Sequence, residues 1–537
     1  MTETATGAVV DATVLTLDAE RPAAAAVAWR GDAVIAVGDS DEVASHIDAS
    51  TEVFEGGGSV VVPGLVDSHI HPFHGTMLTR GADLRGARTI DEVRGRLRRE
   101  SERAGAGEWV LGHSVGYEAF RESGIRADAI EAAVDGRPAL VNFFDGHTAL
   151  ASFEGLRRAG VDGPREFAEN AEVACDADGR PTGALLELGA MTLVRDAVPE
   201  WTRAERLDAY AGTLRTMNSV GLTGAHVMLG DPELLDDVRE LERRGELTLR
   251  MVVPMHFEPS TDEAEIERRL ALSDEGGRLW RSGTAKFFLD GVMESGTAWQ
   301  MEPGPGGANS APFWTEVDRY AELVGRCTEA GFACITHAVG DGAVRAALDA
   351  YEAAGPPRRG MHRVEHIETL LDDDLPRFVE LGVAASMQPL HMEGLDRGEP
   401  AAWFDGLAAG RRERGWRSAD IARTGAVLGL GSDWMVADYD PRVGMAWARL
   451  RREPGELDRT PYLPGQALSP ARVLHGYTTC PAAITGDGDR AGRLTPGRNA
   501  DLTLLGANPL EISRDELPDV PVVATVVAGE IAFSADG

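Results

Sequence analysis

Apolar and polar positions alternate near both ends of this 537-residue chain, whereas the long middle part follows a different pattern. Gly and Asp separate the alternating runs, which is typical of short β-strands joined by turns. The runs are AVVDATVLTL (8–17), AAVAWRGDAVIAVG (25–38), ADLTLLGANPL (500–510) and PVVATVVAGEIAF (521–533). We therefore predict one small β-sandwich assembled from both termini, residues 1–62 and 481–537.

The middle part, residues 63–480, alternates short apolar runs with amphipathic segments. Segments 231–245 and 317–331 carry apolar residues at helical spacing. Strand–helix alternation over this length predicts a parallel sheet, and a (β/α)₈ TIM barrel is our leading fold. A doubly wound sheet is the alternative, although no GxGxxG motif follows an early strand. The apolar runs are 139–144, 224–229, 250–257, 285–290, 333–338, 362–367, 383–388 and 426–433.

Residues 84–200 are longer than one strand–helix repeat of such a barrel. They include the helical segment TIDEVRGRLRRESERAG (89–105). We interpret them as an insertion into the barrel domain.

Composition narrows the classes of partner. A formal charge of −34 disfavours nucleic acid and anionic membrane surfaces, because the protein's own field repels polyanions. The four cysteines form no CxxC pair, which is typical of a reduced, cytoplasmic protein. The N-terminus has no signal-peptide pattern, and no apolar run is long enough for a membrane helix. We expect a small-molecule substrate, with a homodimer as the assembly to test.

Lysine occurs once in the chain. Lys286 begins the apolar stretch KFFL, whereas the other 52 basic residues are arginine. A surface lysine is expected in a polar segment, so this position indicates a specific role. The alternative is that this lysine has no specific role and is retained by chance.

Histidines occur at the ends of several predicted strands. His69 and His71 are two residues apart, so on a strand both imidazoles point to the same side. His337 ends GFACITH and His366 ends HRVEH. Neutral imidazoles at the carboxyl ends of barrel strands suit zinc or a related divalent metal. Taken singly, each histidine could equally be a hydrogen-bonded core residue.

Asp433 ends another apolar run, in VLGLGSDW. It is a candidate catalytic carboxylate at the same edge of the predicted barrel. An Asx turn or a helix cap is the alternative role for this side chain.

The order of these motifs resembles the amidohydrolase superfamily of metal-dependent hydrolases. The amino-acid sequences of the motifs are similar to those of the YtcJ-like, amidohydrolase 3 group, which includes N-substituted formamide deformylases. The resemblance extends from about residue 60 to residue 505. The matching stretches are VVPGLVDSHIH, DGHTALAS, KFFLDGVMESGTA, THAVGDGAV, HRVEHIE, SMQPLH, LGSDW and GRLTPGRNADLTLL.

The resemblance implies a site of one or two divalent ions, with Zn²⁺ as the first choice. His69 and His71 would bind the more buried ion, and His337 and His366 the second. Lys286 would be carboxylated by CO₂ and bridge the two ions. Arginine could not replace it, because its guanidinium stays protonated with a pKa above about 12.

The resemblance also implies a reaction. Metal-activated water would cleave a non-peptide C–N bond, in an amide or an N-acyl or N-formyl amine. Asp433 would serve as the acid/base and would also contact metal. The alternatives are lactone hydrolysis, deamination or decarboxylation at the same site, or a non-catalytic regulator on this scaffold.

Several further residues are candidates on the substrate side of the site. His147 is a candidate oxyanion donor or substrate-orienting group, with capping of the following helix as the alternative. The other candidates for substrate binding are His113, Tyr117, Met293, Trp299 and His391. Met293 and Glu294 depart from the commoner family version of their loop, and His226 stands where relatives often carry Asp. The loop departure leaves the substrate of relatives open for this chain, and a bulky, partly apolar amide is our preference. The apolar residues could equally be barrel packing, and His226 would change the orientation of groups around the ligands.

Overall fold

The computed structural model describes residues 3–105, 107–144, 148–167, 171–294, 296–395, 402–408 and 410–535. Two compact units are present. One contains residues 1–72 and 211–537, and the other contains residues 73–210.

Eight parallel strands, which we number β1–β8 in chain order, form the central sheet of the larger unit. They are β1 (Leu65–Ile70), β2 (Leu222–Val227), β3 (Arg250–His256), β4 (Trp280–Phe288), β5 (Ala333–Ala338), β6 (Arg363–His366), β7 (Ala384–Met387) and β8 (Leu428–Leu430). Strands adjacent in this order are adjacent in the sheet.

Two backbone hydrogen bonds join the segment after β8 to β1. The Asp433 amide donates to the His69 carbonyl at 2.7 Å, and the His71 amide donates to the Trp434 carbonyl at 3.0 Å. The sheet therefore nearly closes into a barrel, and the predicted (β/α)₈ fold is confirmed.

Helices of the larger unit separate successive strands. Pro232–Arg244 illustrates why they form where they do. The Asp231 side chain caps the helix by accepting from the Leu234 amide at 2.7 Å, Pro232 occupies the first turn, and Gly245 ends the helix with φ 72°. The α-helices of residues 211–537 are Pro232–Arg244, Glu263–Leu270, Val317–Glu329, Asp341–Ala354, Arg377–Glu380, Ala402–Asp405, Ser418–Thr424, Pro441–Leu450, Pro470–Gly476 and Thr479–Ile484.

The unit of residues 73–210 has a mixed six-stranded sheet of its own. Its strands are Glu172–Cys175, Pro181–Leu186, Thr148–Ala151, Ala139–Phe143, Val110–Val115 and Ala82–Asp83, in sheet order. Its helices are Ile90–Arg103, Glu131–Val134, Phe153–Arg158 and Glu187–Arg195, while Pro72–Leu78 and Arg203–Ser219 run across its two boundaries.

The assignment of run 139–144 to the barrel pattern is wrong. Ala139–Phe143 pairs with Val110–Val115 and Thr148–Ala151 in this smaller sheet, and Leu65–Ile70 is the strand that begins the barrel. A short apolar run has the same appearance in either sheet, because both faces of both strands are covered.

The predicted sandwich at the termini is confirmed. One sheet contains Ala33–Gly38, Ala26–Arg30, Gly7–Val10 and Glu52–Glu55, and helix Ser40–Ala44 follows its first strand. The other contains Glu530–Ser534, Val522–Val527, Leu502–Leu505, Val60–Pro63, Thr13–Leu15 and Ala23–Ala24. Both sheets contribute to one core, with Val9 and Trp29 from the first and Val61 and Leu504 from the second. C-terminal strand Leu502–Leu505 pairs with N-terminal strand Val60–Pro63, so neither terminus completes the core alone.

Leu504→Ala is expected to lower the free energy of unfolding by about 2–5 kcal/mol, because Leu504 is 1% exposed and its truncation leaves a cavity. Leu457→Ala makes the same change at a residue that is 73% exposed, and should cost less than about 0.5 kcal/mol. Urea unfolding of both variants measures the difference. Equal losses would contradict a shared core at the chain ends.

Within the described residues, none of the helices combines the length and the apolar character that crossing a bilayer requires. All four cysteines are free thiols.

Candidate metal centre

Imidazoles and a carboxylate cluster at the carboxyl ends of four barrel strands. His69 lies near the end of β1 and His71 follows that strand, while His366 is the last residue of β6. His337 lies near the end of β5, and Asp433 follows β8. All five side chains are buried or nearly so. The barrel thus brings to one edge groups that lie up to 364 positions apart in the sequence.

Three of these side chains converge within the span of one coordination sphere. Asp433 Oδ1 lies 3.2 Å from His69 Nε2 and 2.9 Å from His71 Nε2. One potential ligand atom from each of His69, His366 and Asp433 lies within 4.8 Å of the others. Ligands of tetrahedral zinc are about 3.3 Å apart, given Zn–N distances of about 2.0–2.1 Å. The donor set and its spacing therefore fit a divalent metal ion.

The backbone is unusual at two of these residues. His366 has φ 72° and Asp433 has φ 57°, in the left-handed region that residues other than glycine rarely adopt. Such conformations persist where surrounding structure holds them, and they cluster at functional sites. Asp67 supplies part of that support beside Asp433, because its carboxylate accepts from the Ser432 and His69 amides at 3.1 and 2.9 Å.

Glu365 determines which nitrogen of His69 can bind a metal. Its Oε2 lies 2.6 Å from His69 Nδ1, so the Nδ1 proton is donated to the carboxylate and Nε2 is the nitrogen that can bind a metal. Burial opposes ionisation of Glu365, but Arg363 and His69 outweigh it and lower its pKa to about 2. Arg363 forms an ion pair with Glu365 and also donates to His226 Nδ1 at 2.8 Å. A buried row of three side chains therefore orients His69.

Glu365→Gln is expected to weaken metal affinity about 10–100-fold, because an amide no longer fixes the proton on His69 Nδ1 and leaves Arg363 without its counter-ion. Titration of the metal-depleted protein with zinc, followed by competition with a chelator, measures the change. Glu380→Gln is the matched control, since Glu380 is exposed. Unchanged zinc affinity in the Glu365 variant would contradict the orienting role.

Lys286 is fully buried inside the barrel, so it is not a surface lysine. Its Nζ lies 3.9 Å from Met228 Sδ and 4.8 Å from the ring centre of Phe288. Within the described part of the chain, no carboxylate lies within 4 Å of Nζ, although the charges of Glu365 and Asp433 act to raise its pKa. Burial lowers the pKa of Lys286 to about 8. The neutral amine is therefore more abundant near physiological pH than it is for an exposed lysine.

His337 and His366 remain neutral, which is the form that binds metals. Burial lowers the pKa of His337 to about 3, and burial together with His337 holds the pKa of His366 well below its usual value. Their ring centres are 4.3 Å apart, and the His366 ring is 4.7 Å from that of His69. His337 Nε2 donates to the Gly291 carbonyl at 3.1 Å, which leaves Nδ1 as its lone-pair nitrogen.

His391 lies between two carboxylates. Its Nε2 is 3.4 Å from Asp433 Oδ2 and its Nδ1 is 3.6 Å from Glu368 Oε1. Burial disfavours its protonation, but Asp433 and Glu368 outweigh that cost and raise the pKa of His391 to about 10. Burial also opposes ionisation of Asp433, yet His69, His391 and His71 hold the pKa of Asp433 well below its usual value. Asp433 is therefore ionised and His391 protonated when no metal is bound.

Sequence reasoning missed several groups near this edge of the barrel. Glu365 and Arg363 lie within the quoted motif HRVEH, and two charges inside an apolar strand were the available signal. His256 ends β3 in the same manner as the other histidines, and its ring centre lies 5.4 Å from that of Phe288. Burial and Lys286 lower the pKa of His256 to about 4. Glu368, which also accepts from Trp403 Nε1 at 2.7 Å, had no pattern to mark it.

The predicted substrate-side residues belong to both units of the chain. Met293 is 1% exposed and packs in the interior, and the Trp299 backbone amide donates to Asp290 at 2.8 Å. His113 and Tyr117 belong to the smaller unit, where the Tyr117 hydroxyl is 2.7 Å from Thr148 Oγ1. His147 lies outside the described residues. Their substrate-binding roles remain predictions.

Comparisons with known proteins agree with the fold and the motifs. The chain is 28% identical over 537 residues to Protein LONG AFTER FAR-RED 3 of Arabidopsis thaliana, covering 97% of this chain and 90% of that protein. It is 26% identical over 558 residues to N-substituted formamide deformylase of Arthrobacter pascens, covering 98% of each. The crystal structure of an uncharacterized metal-dependent hydrolase from Pyrococcus furiosus matches with a TM-score of 0.73 and 23% identity, over 94% of this chain and 100% of that chain. This last likeness shows the fold.

A family model described as the Amidohydrolase family matches residues 52–533, nearly the whole chain. The resemblance inferred from the motifs is thereby confirmed. The chain belongs to the amidohydrolase family.

Proposed function

We propose that this protein is a metal-dependent hydrolase that cleaves the C–N bond of a non-peptide amide, namely an N-acyl or N-formyl amine. The observation that carries the proposal is the convergence of His69, His71, His366 and Asp433 at the carboxyl ends of the barrel strands. Similarity over both full lengths to an N-substituted formamide deformylase supports the choice of bond.

His69 Nε2, His71 Nε2 and the Asp433 carboxylate would hold the first ion. His337 and His366 are the candidates for a second ion. Zinc or a related divalent ion supplies Lewis acidity, which lowers the pKa of water and polarises a carbonyl. The remaining chemistry is carried by side chains of this chain.

Asp433 is the proton carrier in this proposal. Its carboxylate is ionised, so it can accept a proton from the attacking water and deliver it to the leaving amine nitrogen. His391 Nε2 lies 3.4 Å from Asp433 Oδ2, and the charge of the protonated ring stabilises the ionised form of that carboxylate. Glu368 in turn holds His391 in its protonated form.

Lys286 is the proposed bridging ligand after reaction with CO₂. The neutral amine adds to the CO₂ carbon, a new N–C bond forms, and one amine proton is released to give a carbamate. Burial lowers the pKa of Lys286 to about 8, so the neutral amine that this step requires is more abundant than it is for an exposed lysine. The resulting anion would balance the charge of bound cations.

Removal of metal is expected to abolish hydrolysis, and added Zn²⁺ should restore it. The purified protein is assayed against a panel of N-formyl and N-acyl amines, with lactones, deaminase substrates and carboxylic acids as alternatives. Metal content is measured before and after treatment with a chelator. Full turnover by the metal-depleted protein would contradict the proposal, and turnover confined to lactones would assign the site to a different bond.

A further inference from the structure

A cavity lies at the amino-terminal ends of the barrel strands, whereas the metal-centre candidates lie at their carboxyl ends. Gly64 precedes β1, and Thr223, Arg250 and Trp280 stand at the beginnings of β2, β3 and β4 in its wall. The cavity has a volume of about 670 Å³. That volume falls within the range of small-molecule sites, about 300–1,000 Å³, and exceeds what a single ion needs.

The charge of this cavity is opposite to that of the chain. Seven arginines and four carboxylate residues line it, whereas the whole chain has 53 basic and 87 acidic residues. The lining therefore carries a net positive charge inside a strongly acidic protein. Low-dielectric walls concentrate such a local field and raise the local concentration of anions.

The carboxylates of the lining pair with four of its seven arginines, and a fifth, Arg278, pairs with Glu530 outside the lining. Asp274 pairs with Arg358. Asp487 is shared between two arginines, Arg281 at 3.1 Å and Arg359. Asp501 pairs with Arg250 Nε at 2.6 Å. One carboxylate thus serves two guanidinium groups, each of which offers several N–H donors in a fixed plane.

Arg490 and Arg493 stand in the same wall and are exposed. Within the described ranges, no carboxylate lies within 4 Å of either guanidinium group, and no hydrogen bond engages them. These two side chains are available to a bound molecule.

Inner groups of the cavity also offer donors without partners. Arg250 Nη2, Trp280 Nε1 and Ser282 Oγ are buried, and none has a hydrogen-bond partner among the described residues. Trp280 is 4% and Ser282 1% exposed. Indole and guanidinium nitrogens can only donate, and an unpaired buried donor costs free energy. A ligand rich in acceptors would satisfy them.

We propose that this cavity binds an organic polyanion carrying two or more phosphate or carboxylate groups, at a site separate from the metal centre. Phosphate and carboxylate oxygens accept hydrogen bonds and match the planar fork of arginine in pairs. Arg490 and Arg493 bind the anionic groups at the rim, and Arg250 and Trp280 donate from within.

Calorimetric titration of the metal-loaded protein tests this site, with fructose 1,6-bisphosphate and tricarballylate as separate probes. Arg490→Ala/Arg493→Ala should weaken binding at least tenfold, and added salt should weaken binding to the unmodified protein. Arg98→Ala/Arg99→Ala is the matched control, since it removes the same charge from two exposed arginines outside the cavity and should leave the affinity unchanged.

Each outcome bears on the proposal. Binding of the bisphosphate alone or of tricarballylate alone, lost in the cavity variant, supports the site and identifies its anion class. If the probes bound only by chelating the active-site metal, their affinities for the cavity variant and the control variant would be equal. Equal affinity in all three proteins, or no binding of either probe at millimolar concentrations, would overturn the proposal.

Discussion

Lys286→Arg is expected to abolish metal binding and hydrolysis together. Lys286 is fully buried, and arginine would bring a larger, permanently charged group into that space. Arginine also cannot lose its proton and form a carbamate. If the bridging ligand contributes about 4 kcal/mol to transition-state stabilisation, its loss lowers the rate about a thousandfold. Metal analysis of the variant and its turnover of the best amide substrate measure both effects.

Lys286→Ala and Lys286→Met separate loss of the ligand from damage to the fold. The alanine variant leaves a space in which acetate or propionate can substitute for the carbamate, so partial rescue by these acids is expected. The methionine variant fills the space without a ligand and should show no rescue. Full activity and metal content in the arginine variant would remove Lys286 from the site.

The single lysine also allows a direct spectroscopic test. Protein equilibrated with ¹³C-bicarbonate should show a carbamate carbon signal that the methionine variant lacks. Because the chain contains no other lysine side chain, only the N-terminal amine competes for this assignment. A signal of equal intensity in both proteins would assign the label to the N-terminus instead.

Asp433→Asn is expected to lower kcat about 10²–10⁴-fold, because an amide cannot accept and return the proton. Metal content should fall less than in the Lys286 variants, since the asparagine side chain keeps an oxygen that can bind the first ion. Asp438→Asn is the matched control, as Asp438 is an exposed aspartate five residues further along the chain. Equal activity of the two variants would contradict the role of Asp433.

The same substitution has a consequence for His391 that does not depend on turnover. In the metal-free protein, the raised pKa of His391 contributes stability that is fully present below pH 6.5 and is lost as pH rises through about 10. Asp433→Asn removes one of the two carboxylates that raise this pKa, so the contribution should be smaller and its loss should be complete at lower pH. Thermal unfolding of both metal-free proteins between pH 6 and 10 measures the shift. Identical profiles would show that Asp433 does not act on His391.

Local spacing was enough to identify the chain's main elements and the strand-end residues. Periods of two and of about 3.6 residues identify the strands and helices. They place His69 and His71 on the same side of one strand, and they place His337, His366 and Asp433 at the ends of apolar runs. Such periods reflect which side of a strand or helix is buried, and they need no tertiary information. Family motifs then supplied expectations about chemistry that spacing alone left open.

Groups that act through long-range contacts could not be predicted in the same way. Glu365 orients His69 across 296 positions of sequence, and Arg363 reaches His226 across 137 positions. Ala139–Phe143 belongs to a different sheet from the one predicted, because the sequence of a short apolar strand does not indicate which strand it pairs with. Strand pairing depends on how whole strands and helices pack together, and local sequence patterns do not predict that packing.

By itself the sequence determined the (β/α)₈ fold, the sandwich built from both termini, the family and a set of strand-end candidates that includes the single lysine. Only the tertiary structure decided that Asp433 meets His69 and His71 at about hydrogen-bonding distance, that Lys286 is fully buried, and that arginines gather at the opposite ends of the strands. The physical reason is that hydrophobic periodicity reflects which side of each strand or helix is buried, which is a local property. The atoms of the site come together only when the barrel sheet closes.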